Sequence, residues 1–210
     1  MHKIDKINNY YNSLERKIGL VDSSTSGVDY ALLGWESRDA QILRFDAMID
    51  NVDLHNTKLL DVGCGLANLL EYLNSLGISL DYTGVDILPE MIERTKLKNL
   101  NGRFFAADIF TDRVFNKDEF DISYCSGIFN LDLGNNEKFL KTALEYLLLI
   151  SSRAVIFNML HKKSPSKEHG YFYYCPDKVV KIVESNFNFV KVIKIVENYL
   201  KNDFTVVLSK

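Results

Sequence analysis

The chain has 210 residues, 47 % of them apolar and 25 % charged, with a net charge of −3. That balance suits a globular protein with one substantial core and excludes the basic footprint of a nucleic-acid or anionic-membrane binder. There is no apolar run near the ~20 residues of a membrane span and no signal-peptide core, and Cys64, Cys125 and Cys175 form no CxxC pair, so a cytoplasmic protein without metal or disulfides is expected.

Ile4, Ile7, Tyr11, Leu14 and Ile18 recur at steps of three and four residues, which predicts an amphipathic helix. A serine-rich stretch at 22–27 reads as a loop, and Ser37 is placed to cap a second helix through Ile42, Phe45 and Ile49. From residue 58, apolar strands alternate with helical segments, the pattern of a parallel sheet covered on both faces. Strands are expected at 58–62, 81–86, 102–106, 120–125 and 153–159, with helices beginning near Ala67, Pro89 and Asn135. Pro176 opens one more helix, and strands at 189–196 and 204–208 close the chain. The six-residue connection between them is too short for a crossover, so these two pair antiparallel. One domain over 1–210 follows, with a helical cap at 1–56 and an α/β core at 57–210.

Leu60-Asp61-Val62-Gly63-Cys64-Gly65 reads as a buried strand ending in a glycine turn, and Val85-Asp86 as a second strand ending in a carboxylate. A dinucleotide fingerprint would carry a third glycine where this chain has Asn68. Asp61, two residues before the first glycine, would repel a pyrophosphate and suits a cationic amino group. A ligand with adenine, ribose and ammonium but no phosphate matches, and S-adenosylmethionine is such a ligand.

Residues 58–126 resemble the cofactor half of the class I S-adenosylmethionine-dependent methyltransferases. Residues 60–65 resemble the first motif, with Ala67 where many members have another glycine; Val85-Asp86 resembles the second, Ala107-Asp108-Ile109 the third, and Phe120-Asp121 through Ser126-Gly127-Ile128 the fourth. The resemblance implies a doubly wound, three-layer Rossmann-like fold, its seven-stranded, mostly parallel sheet having an antiparallel last strand. It also implies that Gly63 and Gly65 admit the cofactor and that Asp86 holds the ribose hydroxyls. Asp108 and Ile109 would contact the adenine, Ile87 and Met91 would flank it or belong to the core, and Ser126 would face cofactor and acceptor. Gly34-Trp35, residues 41–45, Asn158-Met159-Leu160, residues 171–176 and Asp203-Phe204-Thr205 further resemble a group of small bacterial methyltransferases.

The acceptor side is expected in the N-terminal helices and the connection 160–175, whose length suggests a functional lid. Methyl transfer needs alignment and, for a hydroxyl, a base. His161 is the candidate base or a surface histidine. Asn130 orients an acceptor or caps its loop, and Tyr173 and Tyr174 line the pocket or staple the lid. Trp35 forms a pocket wall or a satellite core; Arg38 and Arg44 bind an anionic acceptor, take the methionyl carboxylate or are ion-paired. The expected activity is methyl transfer to O or N of a small polar metabolite (a sugar, phosphoryl or amino-acid derivative) by a monomer or homodimer. The rival readings are an NAD-dependent oxidoreductase or nucleotide-sugar enzyme, and a non-catalytic cofactor-binding protein.

Overall fold

Strands whose apolar residues follow one another without polar interruption bury both faces, as parallel strands between helix layers must. The computed structural model describes residues 3–18 and 29–210, and the loop expected at 22–27 lies outside them. Among the described residues the strands are β1 (Lys58–Val62), β2 (Asp81–Asp86), β3 (Arg103–Ala106), β4 (Phe120–Cys125), β5 (Ser151–Leu160), β6 (Val192–Val196) and β7 (Asp203–Ser209). They form one sheet in the order β3-β2-β1-β4-β5-β7-β6. The first five pair parallel, and β7 runs antiparallel to both of its neighbours, as the short final connection requires.

The helices are α1 (Lys3–Ile18), α2 (Asp29–Leu32), α3 (Arg38–Ile49), α4 (Asn68–Ser75), α5 (Pro89–Leu97), α6 (Ile109–Asp112), α7 (Asn136–Ile150) and α8 (Pro176–Asn186). Ser37 caps α3 as its position predicts, its hydroxyl accepting from the Ala40 amide at 3.0 Å. Pro89 and Pro176 each open a helix, where the missing N–H costs nothing. The single-turn α2 and α6 have no periodicity to announce them. β5 starts at Ser151, earlier than expected, because α7 runs into it without a loop. β6 starts later, because the Val190 amide turns back onto the Phe187 carbonyl at 3.0 Å.

Alternate residues along the strands face two cores. Leu60, Phe157, Met159 and Phe204 pack with Leu144, Leu147 and Val183 of α7 and α8 on one face. Leu59, Tyr82, Tyr124 and Ile156 pack with Phe45, Met48, Leu69 and Leu73 of α3 and α4 on the other. Each such side chain contributes roughly 1.5–3 kcal/mol by leaving water. A smaller cluster of Leu66, Leu88 and Met91 receives Ile4, Ile7, Tyr11 and Leu33, which seats α1 over the carboxyl ends of the strands. The chain leaves β1 toward β2 and β3 on one side and β4 toward β5 on the other, so the crevice for a ligand opens between β1 and β4.

The connection after β5 is tied down along its length. The Lys162 amide donates to Tyr174, Tyr174 to Leu160, and Phe172 to Asn130, at 2.7–2.8 Å. Bridges Leu131–Tyr171 and His161–Tyr174 complete this strap. Of the tyrosines in this connection, Tyr171 alone reaches the crevice.

Candidate active site

The glycine turn after β1 is shaped by its neighbours. The Gly63 and Cys64 amides both donate to the Val85 carbonyl, and Gly63 and Gly65 take φ +74° and +52°. A Cβ on Gly63 would strike the Ile128 side chain, and one on Gly65 would strike Leu33. Only glycine allows this approach of backbone to surroundings. Ala67, which opens α4, takes φ +56° despite its methyl group.

Three carboxylates face the cavity at the ends of adjacent strands. Asp86 accepts from the Gly65 and Leu88 amides, both at 2.9 Å, which fastens β2 to the glycine turn. Asp61 accepts from the Tyr82 hydroxyl at 2.5 Å. No basic side chain pairs with either among the described residues. Burial pushes Asp61 up to about 7, against the hydrogen bond from Tyr82, and pushes Asp86 up to about 6, against its amide bonds. Asp108 pairs with Lys3 of α1 at 2.5 Å and accepts from the Thr111 hydroxyl at 2.8 Å. Ile87, Met91 and Ile109 line the same end.

The other end lies over β4 and β5. Asn158 accepts from the Gly127 amide and donates to the Ser126 hydroxyl, both at 2.9 Å, and so fixes the turn after β4. Trp35 lies against Gly127 and stacks on the Arg44 guanidinium, 4.4 Å from the ring centre. The Tyr10 and Tyr171 hydroxyls meet at 2.6 Å. Asn130 uses its side-chain oxygen to hold the Leu160 amide at 3.3 Å.

Trp35, Asp61, Gly63, Gly65, Asp86, Ile87, Met91, Asp108, Ile109, Ser126 and Asn130 all line this cavity. Three expected site residues do not. Arg38 is exposed at the start of α3. The Tyr173 hydroxyl accepts from the Glu168 amide at 2.8 Å, within the strap. His161 is buried outside the cavity, with one ring nitrogen on Glu197 at 2.9 Å and the other accepting from the Lys163 amide at 2.8 Å. Its ring packs against Phe204. Both nitrogens are engaged in pinning the strap, which corrects its expected role as a base. Arg44 is an ion-paired residue, one of the roles its sequence left open.

The sequence reading missed several lining residues. Lys3 and Tyr10 belong to a helix whose periodicity was legible but whose resting place was not. Gln41 stood in a recognised stretch without a role, as did Asn158, which lies behind the lining and fixes the Ser126–Gly127 turn. Lys98 donates to Asn68 at 3.4 Å, so Asn68 presents its amide nitrogen to the Gln41 oxygen at 3.0 Å, and the Gln41 nitrogen has no partner among the described residues. The Cys64 and Cys125 thiols are buried and pushed well above their ordinary range by desolvation, which makes them inert.

Comparison with known proteins gives one consistent picture. Residues 59–148 match the model of a methyltransferase domain. The Mycobacterium tuberculosis protein Rv1506c, which carries a provisional methyltransferase name, is 32 % identical over 156 residues, covering 71 % of this chain and 91 % of its own. The magnesium protoporphyrin IX methyltransferase of Synechocystis PCC 6803, solved with bound S-adenosylhomocysteine, superposes with a TM-score of 0.65 at 15 % identity, covering 98 % of this chain and 97 % of that one. A SAM-dependent methyltransferase from Aquifex aeolicus gives 0.59 at 21 % identity, over 81 % and 92 % of the two chains. These solved structures share the fold.

Proposed function

The chain belongs to the class I S-adenosylmethionine-dependent methyltransferases, and from that premise we propose that it transfers the cofactor's methyl group to an oxygen or nitrogen of a small molecule. The observation that carries this reading is the pair of buried carboxylates, Asp61 and Asp86, with no cation beside either among the described residues. A ligand bearing an ammonium and a sulfonium supplies the missing positive charge, and its ribose hydroxyls would add donors to the two amides that Asp86 already accepts from. A dinucleotide would bring two more negative charges to the same turn, which argues against the oxidoreductase reading.

In this assignment Asp86 takes the ribose, and Asp108 with the backbone at Ile109 takes the adenine edge between Ile87 and Met91. Asp61 faces the ammonium. Gln41, whose amide nitrogen has no partner among the described residues, replaces Arg38 as the donor to the methionyl carboxylate. When bound, the cofactor supplies an electrophilic methyl group on a positively charged sulfur. The chain's own contribution is to exclude water with α1, Leu33 and Trp35 and to orient the acceptor with Ser126 and Asn130. The net charge of −3 supports a small-molecule acceptor over nucleic acid.

Titration calorimetry with S-adenosylhomocysteine, with NAD(H) as the comparison, tests the reading. Saturable one-to-one binding of S-adenosylhomocysteine alone is the expected result. Binding of NAD(H) alone would overturn it.

A further inference from the structure

The acceptor end of the cavity is uniform in its chemistry. Its walls are Trp35, Ile128, Tyr10 and Tyr171, over the floor at Gly127. The cations nearest to it are engaged elsewhere: Arg44 lies behind Trp35 on Asp203, and Lys3 is on Asp108. The polar groups that remain are neutral donors. In the Tyr10–Tyr171 pair one hydroxyl hydrogen closes the contact at 2.6 Å and the other is left over. The Asn130 amide nitrogen has no partner among the described residues, since its oxygen holds Leu160. Gly34, at φ +77°, leaves room for the Tyr10 hydroxyl, which a Cβ there would strike.

No base lines this end among the described residues. His161 is on Glu197, Glu168 brings its charge near both tyrosines but lies exposed on the strap outside the cavity, and burial keeps both tyrosines protonated, with acidities shifted further from neutrality. A phosphorylated or carboxylated acceptor would therefore arrive without a countercharge, at the cost of desolvating its own charge. An aliphatic alcohol, about as weakly acidic as water at ~15.7, would keep its proton. A phenolic hydroxyl, near ~10 like free tyrosine, gives its proton up to solvent far more readily.

Resting on the methyl-transfer reading, we infer that the acceptor is a neutral aromatic alcohol, with its ring against Trp35 and its oxygen received by the Tyr10–Tyr171 pair and Asn130. The acceptor oxygen forms the new O–C bond as the S–C bond breaks. The bonding pair returns to sulfur, leaving a neutral thioether, and the phenolic proton goes to water. The tyrosine and amide donors stabilise the negative charge that develops on oxygen.

Trp35 is the only tryptophan in the chain, so its fluorescence reads this wall directly. The experiment titrates the S-adenosylhomocysteine-saturated protein with p-cresol, cyclohexanol and benzoate, exciting at wavelengths only tryptophan absorbs. It is paired with methyl transfer from labelled S-adenosylmethionine to the same three compounds. The expected result is a saturable response and methylation with p-cresol alone. Tyr171→Phe and Tyr10→Phe should each weaken p-cresol binding about five- to tenfold, with S-adenosylhomocysteine affinity unchanged. If S-adenosylhomocysteine binds but p-cresol gives no response, or benzoate responds equally, the aromatic-alcohol inference is overturned and the methyltransferase reading stands. If S-adenosylhomocysteine does not bind, both fall together.

Discussion

Arg44 and Asp203, 159 positions apart in the chain, meet as a buried ion pair, Nε to Oδ2 at 2.5 Å. The pair joins the N-terminal cap to the last strand and carries Trp35 on its outer side. Arg44 also donates to the Ala40 carbonyl at 2.6 Å, whereas Oδ1 of Asp203 has no partner among the described residues. Desolvation raises the Asp203 carboxyl against the lowering pull of Arg44. Asp203→Ala leaves the guanidinium uncompensated in the interior and should cost about 3–5 kcal/mol. A urea titration reads the loss as a lower midpoint, and a shift in Trp35 emission reports the loosened stack. An unchanged midpoint would mean that solvent reaches Arg44.

Asp61 should release a proton when the cofactor binds. Burial holds its carboxyl at about 7 in the free protein, and a ligand ammonium beside it favours the charged form. Affinity for S-adenosylhomocysteine should then rise from pH 5 toward pH 7 and level off above. Calorimetry in buffers of different ionisation enthalpy near pH 6 detects the proton, and Asp61→Asn should reduce the release to what Asp86, raised to about 6, contributes. The same shift bears on stability: the native state holds the extra proton, so this contribution is present below an unfolded value near ~3.9 and is lost as pH rises through about 7.

Asp86→Ala removes the proposed ribose acceptor together with the anchor of the Gly65 and Leu88 amides. Two hydrogen bonds to a charged group at about 1.5–3 kcal/mol each predict a loss of affinity of at least about 10². Asp86→Asn, which keeps one acceptor oxygen, should lose less. Equal affinity of wild type and Asp86→Ala would contradict the ribose assignment.

For His161→Ala the two possible roles separate cleanly. A pin of the strap predicts destabilisation of about 1–3 kcal/mol, because the Lys163 amide and Glu197 lose their partner. S-adenosylhomocysteine affinity and the rate of methyl transfer at saturation should stay near wild type. A fall in that rate with unchanged stability would return His161 to the chemistry.

The cofactor half of the site was legible because its signal is local. Leu60 through Gly65 lie within a few residues, and the turn, the strand end and the carboxylate are set by short-range backbone chemistry. Asp86 and Asp108 close β2 and follow β3, so alternation of strands and helices was enough to bring them to one edge of the sheet. His161 misled for the same reason: its place just past β5 was read correctly, but the direction of its ring depends on Glu197 and Phe204, far along the chain.

Sequence alone determined the architecture, since hydrophobic periodicity, Pro89, Pro176 and a six-residue final connection leave few other ways to bury the apolar faces. Tertiary structure alone decided what the acceptor end is made of. Tyr10 meets Tyr171, Trp35 meets Arg44, and Arg44 meets Asp203. No local propensity encodes these contacts; the first arises where Ile4, Ile7 and Tyr11 seat α1 on Leu66, Leu88 and Met91, and the last where α3 packs on β7. A periodic pattern shows which face of a helix is buried, and only the packed fold shows against what.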